Sequence, residues 1–244
     1  MLKIIGATHP GKVRENNQDA YTFRLLGSGC GYAVVCDGMG GERAGDIASQ
    51  TACQLLTRFF DRDLMENMSE GAVKAVMFSA ISAANAKVYS LAKENKEYSG
   101  MGTTLSAAVI MGEEMHIVNI GDSRIYIGDK HGAVQVTKDH TMVQAMVDRG
   151  EITPQEAKTH PRRHLITRAV GIGDTLDIDY QMFRVGREHQ VLLCSDGLSN
   201  YASEQKLWEL MKRAAKEGAA QCFVAHANQM GGSDNVTAVL AYQS

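Results

Sequence analysis

The chain has 244 residues, of which 44% are hydrophobic and 22% are charged, with 24 Gly and only 3 Pro. This composition is typical of a globular protein and excludes a disordered or collagen-like chain. The formal net charge of -3 gives no basic surface for a phosphate backbone or an anionic lipid, so we expect no nucleic-acid partner and no membrane insertion.

The N-terminus and the longest apolar runs indicate where the protein acts. Residues 1–10 carry Lys3 within a short apolar run and lack the long apolar segment of an export signal. No apolar run approaches the roughly 18 residues that a membrane-spanning helix requires. The 5 Cys residues form no C-x-x-C motif, and Cys36 and Cys194 lie in apolar runs, which indicates buried, reduced thiols. We therefore expect a cytoplasmic protein.

Short apolar and β-branched segments, separated by Gly-containing turns, open the chain. They are residues 2–8, 20–25 and 32–37. This pattern predicts strands, with a hairpin around residues 27–31. Apolar residues then recur every three or four positions over residues 47–59 and 73–91. We expect two long amphipathic helices there, the second with Ser69 as its N-cap.

The second half of the chain returns to a period of two. Strands are predicted at residues 103–111, 115–120, 124–128 and 133–137. We interpret them as one antiparallel meander. A short polar helical stretch follows at residues 141–159, where Thr153, Pro154 and Glu156 have the pattern of a capping box.

The last part of the chain mixes both periods. Strands are predicted at residues 176–183, 191–195 and 236–242, and helices at about 203–216 and 219–230. Strands group with strands and helices with helices along the chain. This order indicates one α+β domain with packed sheets, and it does not match an alternating βαβ sheet.

Five aspartates stand where an apolar strand ends or a Gly-rich turn begins: Asp19, Asp37, Asp122, Asp196 and Asp234. Each alone could be an ordinary turn or cap residue. However, Asp37 and Asp196 follow buried apolar strands, where an uncompensated charge is costly and a bound cation would compensate it. Carboxylate ligands favour Mg²⁺ or Mn²⁺ over zinc, and two such ions can activate water and hold a phosphoryl group. Arg14 could bind the phosphate oxygens.

Eight segments with Gly, Asp or Thr at fixed places follow one another along the chain. They are RENNQD (14–19), DGMGG (37–41), GMGTT (100–104), NIGDSR (119–124), KDHT (138–141), LITRAVG (165–171), SDGL (195–198) and GSDNVT (232–237). Each is weak alone, but the ordered set is specific and spans nearly the whole chain. It resembles the signature of the metal-dependent type 2C serine/threonine protein phosphatases, the PPM family, in their compact bacterial form.

This resemblance implies both a fold and an activity. The expected fold has two stacked antiparallel β-sheets with helices on both outer faces, an α-β-β-α sandwich, formed by residues 1–244 as a single domain. The expected activity is hydrolysis of phosphoserine and phosphothreonine in proteins by water activated between two Mn²⁺ or Mg²⁺ ions. The expected partners are phosphorylated proteins, among them a serine/threonine kinase that the enzyme opposes.

The same resemblance assigns metal ligands. Asp37 would bridge the two ions, and the carbonyl of Gly38 would bind the second. Asp196 and Asp234 would complete the first ion's ligands, and Asp19 would support the site through bound water.

Further roles follow from the same likeness. Arg14 would hold the substrate phosphate. Asp122 would belong to a third, weaker metal position that bacterial relatives have. The segment 141–168 would form a flap beside the site.

Two positions depart from the family pattern. Met39 stands where many eukaryotic members have the His that protonates the leaving group. A thioether cannot donate a proton, so the donor is either His160 in the flap or water at the metal centre. Gln18 stands where many members have Glu, and this change removes a charge near the second metal.

Other functions fit the sequence less well. Residues 6–13 nearly match a phosphate-binding loop, but Val13 replaces the required Ser or Thr and Pro10 removes a backbone N–H. Cys36 and Arg43 are one residue too far apart for a cysteine-phosphatase loop, and residues 177–179 lack the apolar strand expected before an aspartyl nucleophile. A non-catalytic phosphoprotein-binding domain of the same fold is the alternative from another class, although such a domain would be expected to lose metal ligands.

Overall fold

The computed structural model describes residues 1–41 and 44–243. Its strands are β1 (Leu2–His9), β2 (Asp19–Leu25), β3 (Cys30–Met39), β4 (Gly102–Thr103), β5 (Leu105–Met111), β6 (Glu114–Ile120), β7 (Arg124–Asp129), β8 (Gly132–Gln135), β9 (Asp179–Arg184), β10 (Gln190–Cys194) and β11 (Val236–Gln243). Its helices are α1 (Gly45–Asp63), α2 (Glu70–Glu94), α3 (Met142–Asp148), α4 (Pro154–Thr159), α5 (Asp196–Ser199), α6 (Glu204–Glu217) and α7 (Gln221–Gln229). A short 3₁₀ helix covers Lys96–Tyr98.

The strands form two antiparallel sheets. One has the order β1-β11-β10-β7-β8, and the other has the order β2-β3-β5-β6-β9 with β4 paired to the end of β3. Apolar side chains fill the space between the sheets, as Val35, Ile117 and Leu193 illustrate. Helices α1 and α2 cover the outer face of the second sheet, and α6 and α7 cover that of the first. This architecture confirms the predicted α-β-β-α sandwich.

The predicted meander is wrong. β5 and β6 pair within the second sheet, whereas β7 and β8 belong to the first. The chain crosses between the sheets at Gly121, whose φ of 100° is a left-handed conformation. Period-two alternation shows that a segment is a strand, but both sheets have the same buried inner layer, so it cannot show which sheet the strand joins.

Several local predictions are confirmed. The side chain of Ser69 accepts a hydrogen bond from the Ala72 amide at the start of α2. Thr153 and Glu156 form the complete capping box at α4. All five cysteines are buried and unpaired. Within residues 1–41 and 44–243, no helix combines the length and apolar character needed to cross a membrane.

Candidate metal and phosphate site

Two carboxylates face each other across the end of the second sheet. Asp19 on β2 is the direct partner of Asp37 on β3, a position at which Cβ atoms lie about 5 Å apart. One Asp19 oxygen, Oδ2, accepts a 2.7 Å hydrogen bond from Ser195 Oγ. The other, Oδ1, is buried and has no hydrogen-bond partner within the described part of the chain. Burial raises the pKa of Asp19 to about 7, against the opposing effect of hydrogen bonds from Ser195 and Thr237.

The backbone of Asp37 is held by two threonines. Its amide donates to Thr104 Oγ1 at 2.9 Å, and its carbonyl accepts from the Thr104 amide at 2.9 Å and from Thr103 Oγ1 at 3.0 Å. These contacts fix the strand end while leaving the carboxylate available. Burial first, and then the negative charge of Asp19, raise the pKa of Asp37 well above its usual value.

Gly38 lies where the strand meets the start of α1. A β-carbon at this position would lie 2.0 Å from the carbonyl oxygen of Gly45, so no other residue fits. The Gly38 amide donates to the Gln18 carbonyl at 3.1 Å, and Gln18 Nε2 donates to the Gly41 carbonyl at 2.6 Å. Gln18 therefore supports the loop after Gly38 through hydrogen bonds.

The first sheet contributes two further carboxylates. Asp196 is the first residue of α5, separated from β10 by Ser195 alone, and accepts a 3.0 Å hydrogen bond from Asn200 Nδ2. Burial, followed by the charge of Asp234, raises the pKa of Asp196. Asp234 precedes β11 and forms two bonds with Arg14, Nε to Oδ1 at 3.0 Å and Nη2 to Oδ2 at 3.1 Å.

Arg14 lies above this acidic cluster on an exposed loop. The hydrogen bond and charge of Asp234 raise its pKa, and the charges of Asp37 and Asp196 add to the effect. Asn235 fixes the loop, because its Nδ2 donates to the carbonyls of Pro10 and Asn16 and its Oδ1 accepts from the Gln18 amide. The role of this asparagine is not predicted from the sequence, although it follows Asp234 directly.

Asp122 occupies the crossing between β6 and β7. It is buried, and burial followed by the charges of Asp196 and Asp139 raises its pKa to about 7. The next residue, Ser123, is hydrogen-bonded through its hydroxyl to Thr104 Oγ1 at 2.7 Å, and Thr104 holds the Asp37 amide, so the crossing lies at the end of the sandwich where Asp37 is.

The donor set fits a hard divalent cation. All five side chains offer carboxylate oxygen, and the unpartnered Asp19 Oδ1 is a buried acceptor of the kind a cation or its water satisfies. Within the parts of the chain that the structure describes, no three His, Cys, Asp or Glu side chains are arranged to hold one ion by themselves. A cation would therefore also use backbone carbonyl and water oxygens, as Mg²⁺ commonly does.

The segment 141–168 carries α3 and α4 and is tied to the site at its base. The Met142 amide donates to the Leu165 carbonyl, and the Thr167 amide donates to the His140 carbonyl. His140 in turn donates from its amide to the Gly121 carbonyl at 2.9 Å, next to Asp122.

The flap carries two histidines with different surroundings. His160 ends α4, and its Nδ1 accepts a 3.1 Å hydrogen bond from the Arg162 amide. His164 is exposed, and its charge acts on Asp196 and opposes the rise of that carboxyl's pKa. His164 is thus the flap histidine whose charge acts on Asp196, whereas the sequence indicates His160 as the candidate proton donor.

Comparison with known proteins shows which family the chain belongs to. The family model "Protein phosphatase 2C" matches residues 5–230. The chain is 32% identical over 234 residues to the serine/threonine phosphatase stp of Listeria monocytogenes, covering 96% of this chain and 92% of that protein. It resembles the crystal structure of the serine/threonine phosphatase Stp1 from Staphylococcus aureus with a TM-score of 0.92 and 32% identity, covering 100% and 96% of the two chains.

A further solved structure contains metal. The catalytic domain of the serine/threonine protein phosphatase PstP in complex with two manganese ions has a TM-score of 0.84 and 34% identity to this chain, covering 99% and 97% of the two chains. Both the family match and these relatives span almost the whole chain. The chain therefore belongs to the protein phosphatase 2C family and is, as a member of it, a protein phosphatase.

Proposed function

We propose that this protein hydrolyses phosphoserine and phosphothreonine in other proteins with two divalent cations, Mn²⁺ or Mg²⁺, and thereby opposes a serine/threonine kinase. The observation that carries the proposal is the convergence of carboxylates from both sheets beneath an arginine, with one buried carboxylate oxygen unpartnered. The manganese-containing PstP structure supports the same choice of cofactor.

We assign the ligands as follows. Asp37 would be a ligand of both ions, the Gly38 carbonyl would bind the second, and Asp196 and Asp234 would bind the first. Asp19 would support the site through water, and Asp122 would provide a third, weaker position. When bound, the ions lower the pKa of water and neutralise the charge of the phosphoryl group.

The side chains around the carboxylates position Asp37 and bind the substrate phosphate in this proposal. Thr103 and Thr104 hold the Asp37 backbone in place, so its carboxylate needs little reorganisation to bind a cation. Arg14 grips Asp234 with two parallel bonds, and the same planar fork can instead bind two phosphate oxygens. We propose that the substrate phosphate replaces Asp234 as the partner of Arg14. Arg14 then binds the phosphate, and the Asp234 carboxylate is free to bind a metal ion.

Residues 1–244 act as one phosphatase domain in this proposal, with residues 141–168 as its flap. Its protein substrates include the opposing kinase. The test is release of phosphate from a phosphothreonine peptide with Mn²⁺, compared with the same reaction in chelator. We expect the release of phosphate to depend on Mn²⁺. We also expect Asp37→Asn to abolish it. No release with either Mn²⁺ or Mg²⁺ would instead favour a phosphoprotein-binding role.

A further inference from the structure

The loop of residues 170–173 lies beside Thr103, at the edge of the site. Val170 and Thr103 exchange two backbone hydrogen bonds of 2.9 and 3.0 Å, and Thr103 Oγ1 donates to the Asp37 carbonyl. Thr103 is also the ladder partner of Gly38. Neighbouring strands lie about 4.8 Å apart, so this loop runs about 10 Å from the backbone that carries Asp37.

A buried amide holds this loop. Asn85 on α2 is 3% exposed, its Oδ1 accepts from the Gly171 amide at 2.7 Å, and its Nδ2 donates to the Gly173 carbonyl at 2.9 Å. Gly171 has a φ of 91°, and a β-carbon there would lie 2.2 Å from Val88 Cγ1. The loop is therefore fixed on both sides of Ile172.

Ile172 is held in an exposed position. Its relative exposure is 51%. A β-carbon at Gly102 would lie 3.0 Å from both Ile172 Cδ1 and Met39 Cε, so both methyl groups lie close to Gly102. Met39 directly follows Gly38 and is the ladder partner of Gly102. We call Met39, Gly102 and Ile172 the apolar ledge.

The distance between the apolar ledge and the strand that carries Asp37 indicates which part of a substrate could contact the ledge. Asp37 lies on β3, so a phosphorylated side chain held there starts near the ledge, and an extended peptide advances about 3.3 Å per residue. The 10 Å separation thus corresponds to about three residues of substrate. Single exposed aliphatic side chains are common, but the loop that carries this one is held on both sides by the buried Asn85 amide, and it lies beside the strand that carries Asp37.

We infer that the apolar ledge binds an aliphatic side chain of the phosphoprotein substrate, located within about three residues of the phosphorylated serine or threonine. Ile172 is the specificity-determining residue, and Asn85 is a positioning residue that acts through the loop. This inference rests on the proposed function, and it adds the sequence context of the substrate.

The experiment compares phosphothreonine peptides that differ at one position between three residues before and three residues after the phosphothreonine. Each pair carries Leu or Asn, which have similar sizes. At one or more positions the Leu peptide is expected to have about a tenfold higher kcat/KM. Ile172→Ser is expected to bring the Leu-to-Asn ratio close to one. Val134→Ser, which alters an equally exposed aliphatic residue on β8 (60% exposed), leaves the ratio unchanged.

Asn85 is tested by graded replacement. Asn85→Ala is expected to lower the ratio through a higher KM for the Leu peptide, while Asn85→Asp keeps the acceptor for the Gly171 amide and restores part of the ratio. Equal kcat/KM for Leu and Asn peptides at every position, or a ratio that survives Ile172→Ser, overturns the inference and leaves the proposed function standing. Failure to release phosphate from any peptide in Mn²⁺ overturns the proposed function and the inference with it.

Discussion

Asp19 and Asp37 are direct cross-strand partners in the β2–β3 ladder, so two carboxylates share one position at which like charges destabilise a sheet. Both have raised pKa values, in each case mainly from burial. Burying such a pair of like charges is costly unless a cation compensates them, so the stability of this protein should depend on the bound cation. The free energy of unfolding with and without Mn²⁺ should therefore report metal binding at this pair.

The first prediction uses that dependence. Asp37→Asn removes one of the opposed charges, so in chelator the variant should be more stable than the wild type by about 0.5–1 kcal/mol. The stabilisation by Mn²⁺ and the turnover should both collapse. Urea denaturation with chelator and with Mn²⁺, alongside phosphatase assays, measures both effects. The exposed Asp177 provides the matched control as Asp177→Asn. A variant that retains more than about a tenth of wild-type turnover at saturating Mn²⁺ would exclude Asp37 as the bridging ligand.

The second prediction concerns Arg14. Its pair with Asp234 is more than a third exposed on both sides, so Arg14→Ala should change the free energy of unfolding by less than about 1 kcal/mol. KM for a phosphopeptide should rise and kcat/KM should fall, because the residue that binds phosphate is missing. Arg14→Lys keeps the charge without the planar fork and should recover only part of the loss.

Metal affinity separates this role from a structural one. Removing Arg14 frees the Asp234 carboxylate, so Mn²⁺ binding by calorimetry should stay the same or tighten. Weaker Mn²⁺ binding together with an unchanged KM would show that Arg14 serves only to position Asp234.

The sequence predicts the layers of this fold well. Helix periodicity locates α1 and α2, alternation locates most strands, and Asp-Gly pairs after apolar runs mark where the strands end. It does not predict that β7 and β8 leave the sheet of β5 and β6, because pairing partners depend on contacts between residues far apart in the chain. The five aspartates are visible as a pattern, but their convergence depends on that same pairing.

Supporting residues are harder to predict than charged ones. Asn235 and Asn85 act through their amides on backbone groups of distant loops, and an asparagine in a sequence most often indicates a turn or a solvated position. The signal that could have identified Asn235 is its place directly after Asp234 and before a buried strand. Asn85 gives a weaker signal, a polar residue on the apolar face of a helix.

The third prediction tests Asn235. Its side chain makes three hydrogen bonds to the loop that carries Arg14. Asn235→Ala removes these bonds and leaves three backbone groups of the loop without this partner. We expect the free energy of unfolding to fall by about 2–3 kcal/mol and KM for phosphopeptides to rise as Arg14 loses its position. Asn235→Asp keeps the acceptor for the Gln18 amide and should show a smaller change in both. Unchanged stability and KM in Asn235→Ala would contradict this role.

The fourth prediction is a pH dependence away from the site. His116 on β6 is fully buried, its Nδ1 is hydrogen-bonded to the Tyr180 hydroxyl, and its Nε2 has no hydrogen-bond partner in the described residues. Burial lowers its pKa, while the charges of Glu114 and Glu70 oppose that effect. Lys74 of α2 lies over the Tyr180 ring.

A histidine whose folded-state pKa is lowered contributes stability that is present above its unfolded pKa, about 6.5. That stability is lost as the pH falls through this value toward the folded-state pKa. The stability that His116 contributes should therefore shrink between pH 7.5 and pH 5, so the difference in free energy of unfolding between the wild type and His116→Gln should change over this range. Asp19 and Asp122, whose pKa values are raised to about 7, act in the opposite direction as the pH falls, but both proteins contain them and their effect cancels in the comparison. His131→Gln, in the exposed turn between β7 and β8, is the control. If the free energy of unfolding of His116→Gln changes with pH as steeply as that of the wild type, other groups cause the effect.

The last prediction addresses the proton donor for the leaving group, since Met39 cannot supply one. His160 uses its Nδ1 within its own turn, whereas the charge of His164 acts on Asp196. If a flap histidine protonates the leaving oxygen, His164→Gln should slow phosphothreonine-peptide turnover by about 10²-fold or more. Turnover of nitrophenyl phosphate should hardly change, because its acidic phenol leaves without a proton. His160→Gln should affect both substrates weakly. The reverse ranking would restore His160 as the donor, and equal losses on both substrates in both variants would exclude the flap histidines, leaving water at the metal centre to supply the proton.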